Sequence, residues 1–147
     1  MRGANLRVAT EEDAMLLLRW ANDPVTRANS INTHEICIDE HMAWFNRKLK
    51  DENCHLYIYE YQGIPVGQVR VDIWGDEGTI SYSIDANYRG KGYGSDMISL
   101  VEEIENKKLN KLIAIVKKEN IASSKVFEHN DFAKAEMIHF EKVIDNN

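Results

Sequence analysis

The chain has 147 residues, 44% of them hydrophobic and 29% charged, with two Pro and two Cys. That size and balance fit a single domain over 1–147, whose core can bury about 68–70% of the unfolded chain's surface. They exclude collagen-like, mucin-like and disordered chains. The formal net charge of −6 offers no basic surplus for holding nucleic acid by phosphate neutralisation.

No apolar run approaches the roughly 20 residues a bilayer span needs. The opening Met1–Leu6 lacks the apolar core of a signal peptide, so a soluble, cytoplasmic protein is expected, with neither membrane nor nucleic acid as partner. Cys37 and Cys54 stand apart, and the five His residues show no HExxH spacing. No metal site is expected, and both thiols read as reduced packing residues.

In chain order, Asn5–Ala9 alternates and predicts a first strand. Thr10-Glu11-Glu12-Asp13 then has the form of a helix N-cap with its acidic partner three residues on. Ala14, Leu17, Leu18 and Ala21 supply the apolar face of that helix, and Asn22-Asp23-Pro24 ends it. Ser30–Glu35 reads as loop. A second helix is expected from about Asp39 to Lys50, with Met42, Phe45 and Leu49 on one side.

The period then changes to two. Leu56–Tyr61, Val66–Trp74 and Thr79–Ile84 predict three antiparallel strands joined by turns at Gln62-Gly63 and Gly75–Gly78. Tyr57, Tyr59 and Tyr61 share one strand face and are expected to pack there. Helical spacing returns at Met97, Ile98, Leu100, Val101 and Ile104. Leu112–Val116 is continuous and apolar, as in a strand covered on both faces. Asn120–Glu128 predicts a short helix and Phe132–Ile144 one or two closing strands. The fold class is α/β, more closely α+β: a central, mostly antiparallel mixed sheet with helices on both faces. The short C-terminal segment leaves room for a partner chain to complete the last strand, as a homodimer would.

Ile84-Asp85-Ala86-Asn87-Tyr88-Arg89-Gly90-Lys91-Gly92-Tyr93-Gly94-Ser95 is the informative stretch. Three glycines at alternate positions, with Arg89 and Lys91 beside them, lie between a strand and a helix. Such a segment makes an anion cradle, because glycine lets backbone N–H groups approach a ligand and the helix start adds positive potential. A pyrophosphate is the natural guest. The Walker pattern is absent, and Ser95 follows a connection too long for a dinucleotide fingerprint.

Arg89-x-x-Gly92-x-Gly94 resembles the pyrophosphate signature [RQ]xxGx[GA] of the GCN5-related N-acetyltransferases, the GNAT superfamily. The order of elements also resembles that fold over nearly the whole chain. The resemblance implies acetyl-CoA as co-substrate and no metal, with Arg89, Gly90, Lys91, Gly92, Tyr93 and Gly94 at the diphosphate. It further implies that the backbone of Ile84 meets the pantetheine arm, and that Asn120, opening its helix, and Ser123 belong to the same site.

Arg19-Trp20-Ala21-Asn22-Asp23-Pro24 and His41-Met42-Ala43-Trp44-Phe45 resemble the branch holding ribosomal-protein N-terminal acetyltransferases and amino-sugar-nucleotide acetyltransferases. Ile80–Ile84 with Tyr88–Gly94 is similar to enzymes of pseudaminic acid synthesis. The acceptor this implies is a primary amine on a small molecule such as a UDP-amino sugar. A protein N-terminus, a small polyamine, or a catalytically silent CoA-binding sensor are the alternatives.

The reaction implied is attack of a neutral amine on the thioester, with a backbone N–H near Ile84 meeting the developing oxyanion. Many relatives place a Tyr seven residues beyond the helix-opening Asn, where this chain has Phe127. In the ribosomal-protein branch that the chain resembles, a Ser three residues beyond that Asn takes the task of leaving-group acid. That implies Ser123 as candidate acid, with a plain helix-capping role as its alternative. Thr79 occupies the strand position where relatives carry Glu, which leaves Glu77 as candidate base and Ser81 and Ser83 as residues able to order a water. Arg19, Arg27, Arg47 and Arg70 are candidates for a diphosphate on the acceptor, and Lys117 and Lys118 for a phosphate on the cofactor side.

Overall fold

The computed structural model describes residues 1–136 and 139–144. Seven strands form one sheet in the order β1-β2-β3-β4-β5-β7-β6, with β1 Ala4–Val8, β2 Cys54–Tyr61, β3 Ile64–Trp74, β4 Glu77–Ile84, β5 Lys111–Ile115, β6 Ala133–Glu136 and β7 His139–Val143. Every neighbouring pair is antiparallel except β4 and β5. The mixed, mostly antiparallel sheet is thus as the alternation predicts. Both closing strands come from this chain, β7 lying between β5 and β6.

The helices are α1 Ala14–Ala21, α2 Pro24–Asn29, α3 Ile38–Lys50, α4 Tyr93–Glu105 and α5 Ile121–His129. α2 is a correction: Asn22-Asp23-Pro24 ends one helix and also starts the next. Asp23 is its N-cap, accepting from Thr26 N at 3.1 Å, and Pro24 opens the first turn, where a missing N–H costs nothing. The buried face of α1 is Ala14, Leu17 and Trp20 rather than Leu18 and Ala21. Ahead of it, Thr10 N donates to Asp13 Oδ2 at 2.8 Å, so the acidic partner of the cap is real.

Strand alternation sorts the core onto two faces. Leu56 and Ile58 of β2 pack with Ala14, Leu17, Trp20 and Phe45 under α1 and α3. Tyr57 and Tyr59, one residue out of phase, join Val69, Val71, Ile80, Met97, Ile98, Val101 and Phe127 under α4 and α5. Each of those tyrosines keeps its hydroxyl bonded, Tyr57 to Glu105 at 2.6 Å and Tyr59 to Asp96 at 2.6 Å. Cys54 is buried and Cys37 exposed, neither in a disulfide. No helix among the described residues is long and apolar enough to cross a membrane.

Candidate active site

The site begins where two strands part. β5 pairs with β4 only from Glu77 to Ile80, against Lys111 to Ala114. Beyond that point β4 continues through Ser81–Ile84 with only β3 beside it. At about 3.3 Å per residue, some 13 Å of strand edge is left open. Asp85 N donates to Val66 O of β3 at 2.9 Å. Successive N–H groups of a strand point to opposite sides, so those of Ile84 and Tyr82 point the other way, into the opening. Ile84 is therefore where a backbone donor for an oxyanion, or a partner for an amide-bearing chain, would have to be.

One continuous cleft of about 1060 Å³ runs through this opening, from α1–α3 on one face to α4–α5 on the other. On the α4–α5 side lie Arg89, Gly90, Gly92, Tyr93, Gly94, Asn120 and Ser123, the residues the sequence groups at the diphosphate and pantetheine. Gly90 and Gly92 have φ of +77° and +85°, the left-handed region that disfavours side chains. Gly92 is also the N-cap of α4 and brings no capping side chain, so the first N–H groups of that helix are available to an anion. The donor set suits a diphosphate. Among the described residues no group of three or more His, Cys, Asp or Glu could hold a metal ion.

Arg89 has a second duty. Its Nη2 donates to Asp23 Oδ2 at 2.7 Å and lies 3.3 Å from Thr26 Oγ1. Burial alone would push Asp23 up, but the Arg89 guanidinium and the Thr26 N–H outweigh it and hold the carboxyl below its ordinary range. Close by, Trp20 Nε1 donates to Asp85 Oδ2 at 2.8 Å, while Asp85 Oδ1 accepts from Asn87 N at 2.9 Å. The Trp20…Asp23 pair singled out in the sequence thus fastens α1 and α2 to the glycine loop. Lys91 is exposed, its Nζ 5.7 Å from the centre of the ring of Tyr88, a residue that lines the cleft. Lys117 donates to Ala28 O at 3.0 Å.

Glu77 is not brought to the site. It starts β4 opposite Trp74 and beside Lys111, roughly 23 Å along the strand from Ile84, and is absent from the cleft lining. Thr79, Ser81 and Ser83 do line it, on the α1–α3 side. Gln68 Nε2 donates to Ser83 Oγ at 3.0 Å, and Arg70 Nη2 reaches Ser81 Oγ at 3.4 Å. His41 faces the cleft yet is buried, its Nε2 bonded to Ala14 O at 2.8 Å and its ring stacked on Phe45.

Ser123 is in the cleft, in the first turn of α5, with Asn120 Oδ1 accepting from its N–H at 3.2 Å. Its hydroxyl lies 2.9 Å from the phenol of Tyr82. Tyr82 went unremarked in the sequence as anything beyond a strand face. The signal was present: it is one alternation before Ile84, on the face that meets α5, where Phe127 lacks the hydroxyl relatives carry. Its ring packs edge-on against Phe127, with centroids 5.8 Å apart.

The α1–α3 side differs in charge. There the cleft lining includes Arg27, Arg47 and Arg70 and, of the acidic residues, Glu40. Arg70 lies over the Trp44 ring at 5.2 Å and is held by Asp72 at 2.8 Å. In a protein of net charge −6, the cleft lining thus carries more basic than acidic side chains, two of the arginines being paired with carboxylates behind it.

The Acetyltransferase (GNAT) domain family matches residues 4–133 of the chain. The chain belongs to this family. Membership makes it an N-acetyltransferase with acetyl-CoA as acyl donor. No curated protein matches it by sequence. Among solved structures, it is similar to a domain from Methanocaldococcus jannaschii, at 26% identity over 95% of this chain and 97% of the other, with a TM-score of 0.82. Spermidine N-acetyltransferase from Vibrio cholerae, in complex with CoA and spermine, shares 15% identity over 98% and 97% of the two chains, TM-score 0.86. An acetyltransferase from Salmonella typhimurium that modifies the N-terminal serine of a 50S ribosomal subunit protein shares 15% over 99% and 97%, TM-score 0.82. At such identities the last two likenesses speak to fold.

Proposed function

We propose that the chain transfers the acetyl group of acetyl-CoA to a primary amine borne by an anionic small molecule, of which a nucleotide-linked amino sugar is the type. The observation that carries this reading is the single cleft through the β4–β5 opening, with a backbone anion cradle at one end and arginines at the other. Gly90–Gly94 and the start of α4 hold the diphosphate. The Ile84 N–H meets the oxyanion, and Asn120 and Ser123 flank the thioester. Ser81 and Ser83 order the water that takes the amine's proton; an amine of pKa near 8 is already partly neutral at pH 7.

Charge supports the choice of acceptor. A polyamine would enter a region carrying Arg47 and Arg70 with its own positive charges, at a cost, whereas a phosphate there gains charge-assisted bonds. Trp44 offers a flat face for a base or sugar ring. The test is thiol release from acetyl-CoA across UDP-amino sugars, spermidine and N-terminal peptides. Turnover of the UDP-amino sugars at the highest kcat/KM is expected, with UDP alone raising Tm additively to CoA. Preference for spermidine would overturn the anionic acceptor, and silence to every amine alongside tight CoA binding would overturn the enzyme reading in favour of a sensor.

A further inference from the structure

The usual phenol is missing from α5, since Phe127 holds its position and is 2% exposed. A different phenol reaches the same neighbourhood from β4. Tyr82 OH is 2.9 Å from Ser123 Oγ, and both residues line the cleft. We propose that Tyr82 and Ser123 act as one unit to protonate the leaving sulfur, Ser123 facing the sulfur and Tyr82 positioning and recharging it. This rests on the acetyltransferase reading above.

The direction of the shared hydrogen bond follows from acidity. Either hydroxyl can donate across the 2.9 Å contact. A phenol, with a pKa near 10, is the better donor of the two, so we assign Tyr82 O–H as donor and Ser123 Oγ as acceptor. The serine's own proton is then left to point into the cleft. Burial pushes the Tyr82 phenol above its ordinary range, a trend partly offset because the Ser123 hydroxyl can turn to donate to the phenolate. The ring consequently keeps its proton through neutral pH. Its place is fixed by packing, edge-on to Phe127.

The proton balance closes without a further reagent. As the carbon–sulfur bond breaks, its electron pair goes to sulfur, and Ser123 gives that sulfur its proton. Tyr82 passes its own proton to Ser123 Oγ. The phenolate recovers one from water in the cleft, which has taken the proton shed by the acetylated nitrogen. Tyr82 is a positioning residue here, because it acts through Ser123.

The experiment compares wild type, Tyr82→Phe, Ser123→Ala and the double variant by steady-state kinetics, calorimetry with CoA, and ultraviolet titration of the thiol of bound CoA. Tyr82→Phe should lower kcat about 10–100-fold, toward the lower end of what general acids contribute, with KM and CoA affinity within about threefold of wild type. The double variant should be no slower than the slower single one. Hydrogen bonds to a thiolate lower its pKa, so the bound thiol should titrate about one unit higher in each single variant.

An unchanged thiol pKa in Tyr82→Phe overturns the proposal whatever the rate does, as does a multiplicative loss in the double variant. Should Tyr82→Phe fail to fold, Ser123→Ala decides by the same titration. A wild type silent to every amine fails the enzyme reading instead, and the titration tells the two failures apart.

Discussion

On the α4–α5 side, the cleft is lined by the backbone of Gly90, Gly92 and Gly94 and the first turn of α4; on the α1–α3 side it is lined by the side chains of Gln68, Arg70, Trp44 and Arg47. A backbone site has its chemistry set by conformation. It depends on glycines where φ is positive and tolerates change in neighbouring side chains. A side-chain site is specific to one acceptor and yields to single substitutions. The contrast explains how one fold keeps a donor and exchanges acceptors.

Substitutions at the two ends should therefore fail in different ways. The largest effect is expected from Gly92→Pro, which forbids φ near +85° and removes an N–H: CoA affinity by calorimetry should fall by about 100-fold or more. Next, Arg47→Ala and Arg70→Ala should each raise KM for an anionic acceptor about 10–100-fold, as loss of a charged hydrogen bond of about 1.5–3 kcal/mol requires. CoA affinity should stay within about twofold in both. Equal losses of CoA affinity would erase the distinction between the two ends.

A smaller effect sharpens it. Arg89→Ala removes the partner of Asp23 and leaves a bare carboxylate beside the cradle, so CoA affinity should drop about tenfold. Asp23→Asn added to Arg89→Ala should restore it to within about threefold, because the backbone makes the grip. The acid limb has a fixed sign. Asp23 is held below its ordinary range, so its pair stabilises the fold above pH about 4, near the unfolded carboxyl's pKa, and is lost as pH falls through the lower folded value. Tm and CoA affinity should not respond to this pair between pH 5 and 8.

The smallest effect belongs to Gly94→Ala. An added Cβ would meet Tyr82 Cε2 at 3.5 Å and Val126 Cγ2 at 3.6 Å, ordinary contacts, and no positive φ is involved. Alanine's helix preference, roughly 0.8–1.0 kcal/mol over glycine, should leave Tm equal or slightly raised and CoA affinity unchanged.

The glycine loop and its place between a strand and a helix were legible in the sequence because their signals are local: Arg89-x-x-Gly92-x-Gly94 lies in one short segment, and the strands around it alternate cleanly. On the α1–α3 side, Arg47 and Arg70 are among the four candidate arginines of the sequence, but they stand on separate elements. The sequence could not show that they line one cleft and Arg19 does not. Glu77 was misplaced for a related reason. Nearness to Thr79 in sequence says nothing about which end of β4 the partner strand abandons. Tyr82 and Ser123 are 41 residues apart, and only the packing of α5 against β4 brings their hydroxyls together.

Two hydrogen bonds, Trp20 to Asp85 and Arg89 to Asp23, span 65 and 66 residues of sequence. They tie α1 and α2 to the glycine loop and, on the proposed function, the helices beside the amine to the loop that would hold the donor. Under the proposed function, nucleophile and thioester would then be gauged against one common frame.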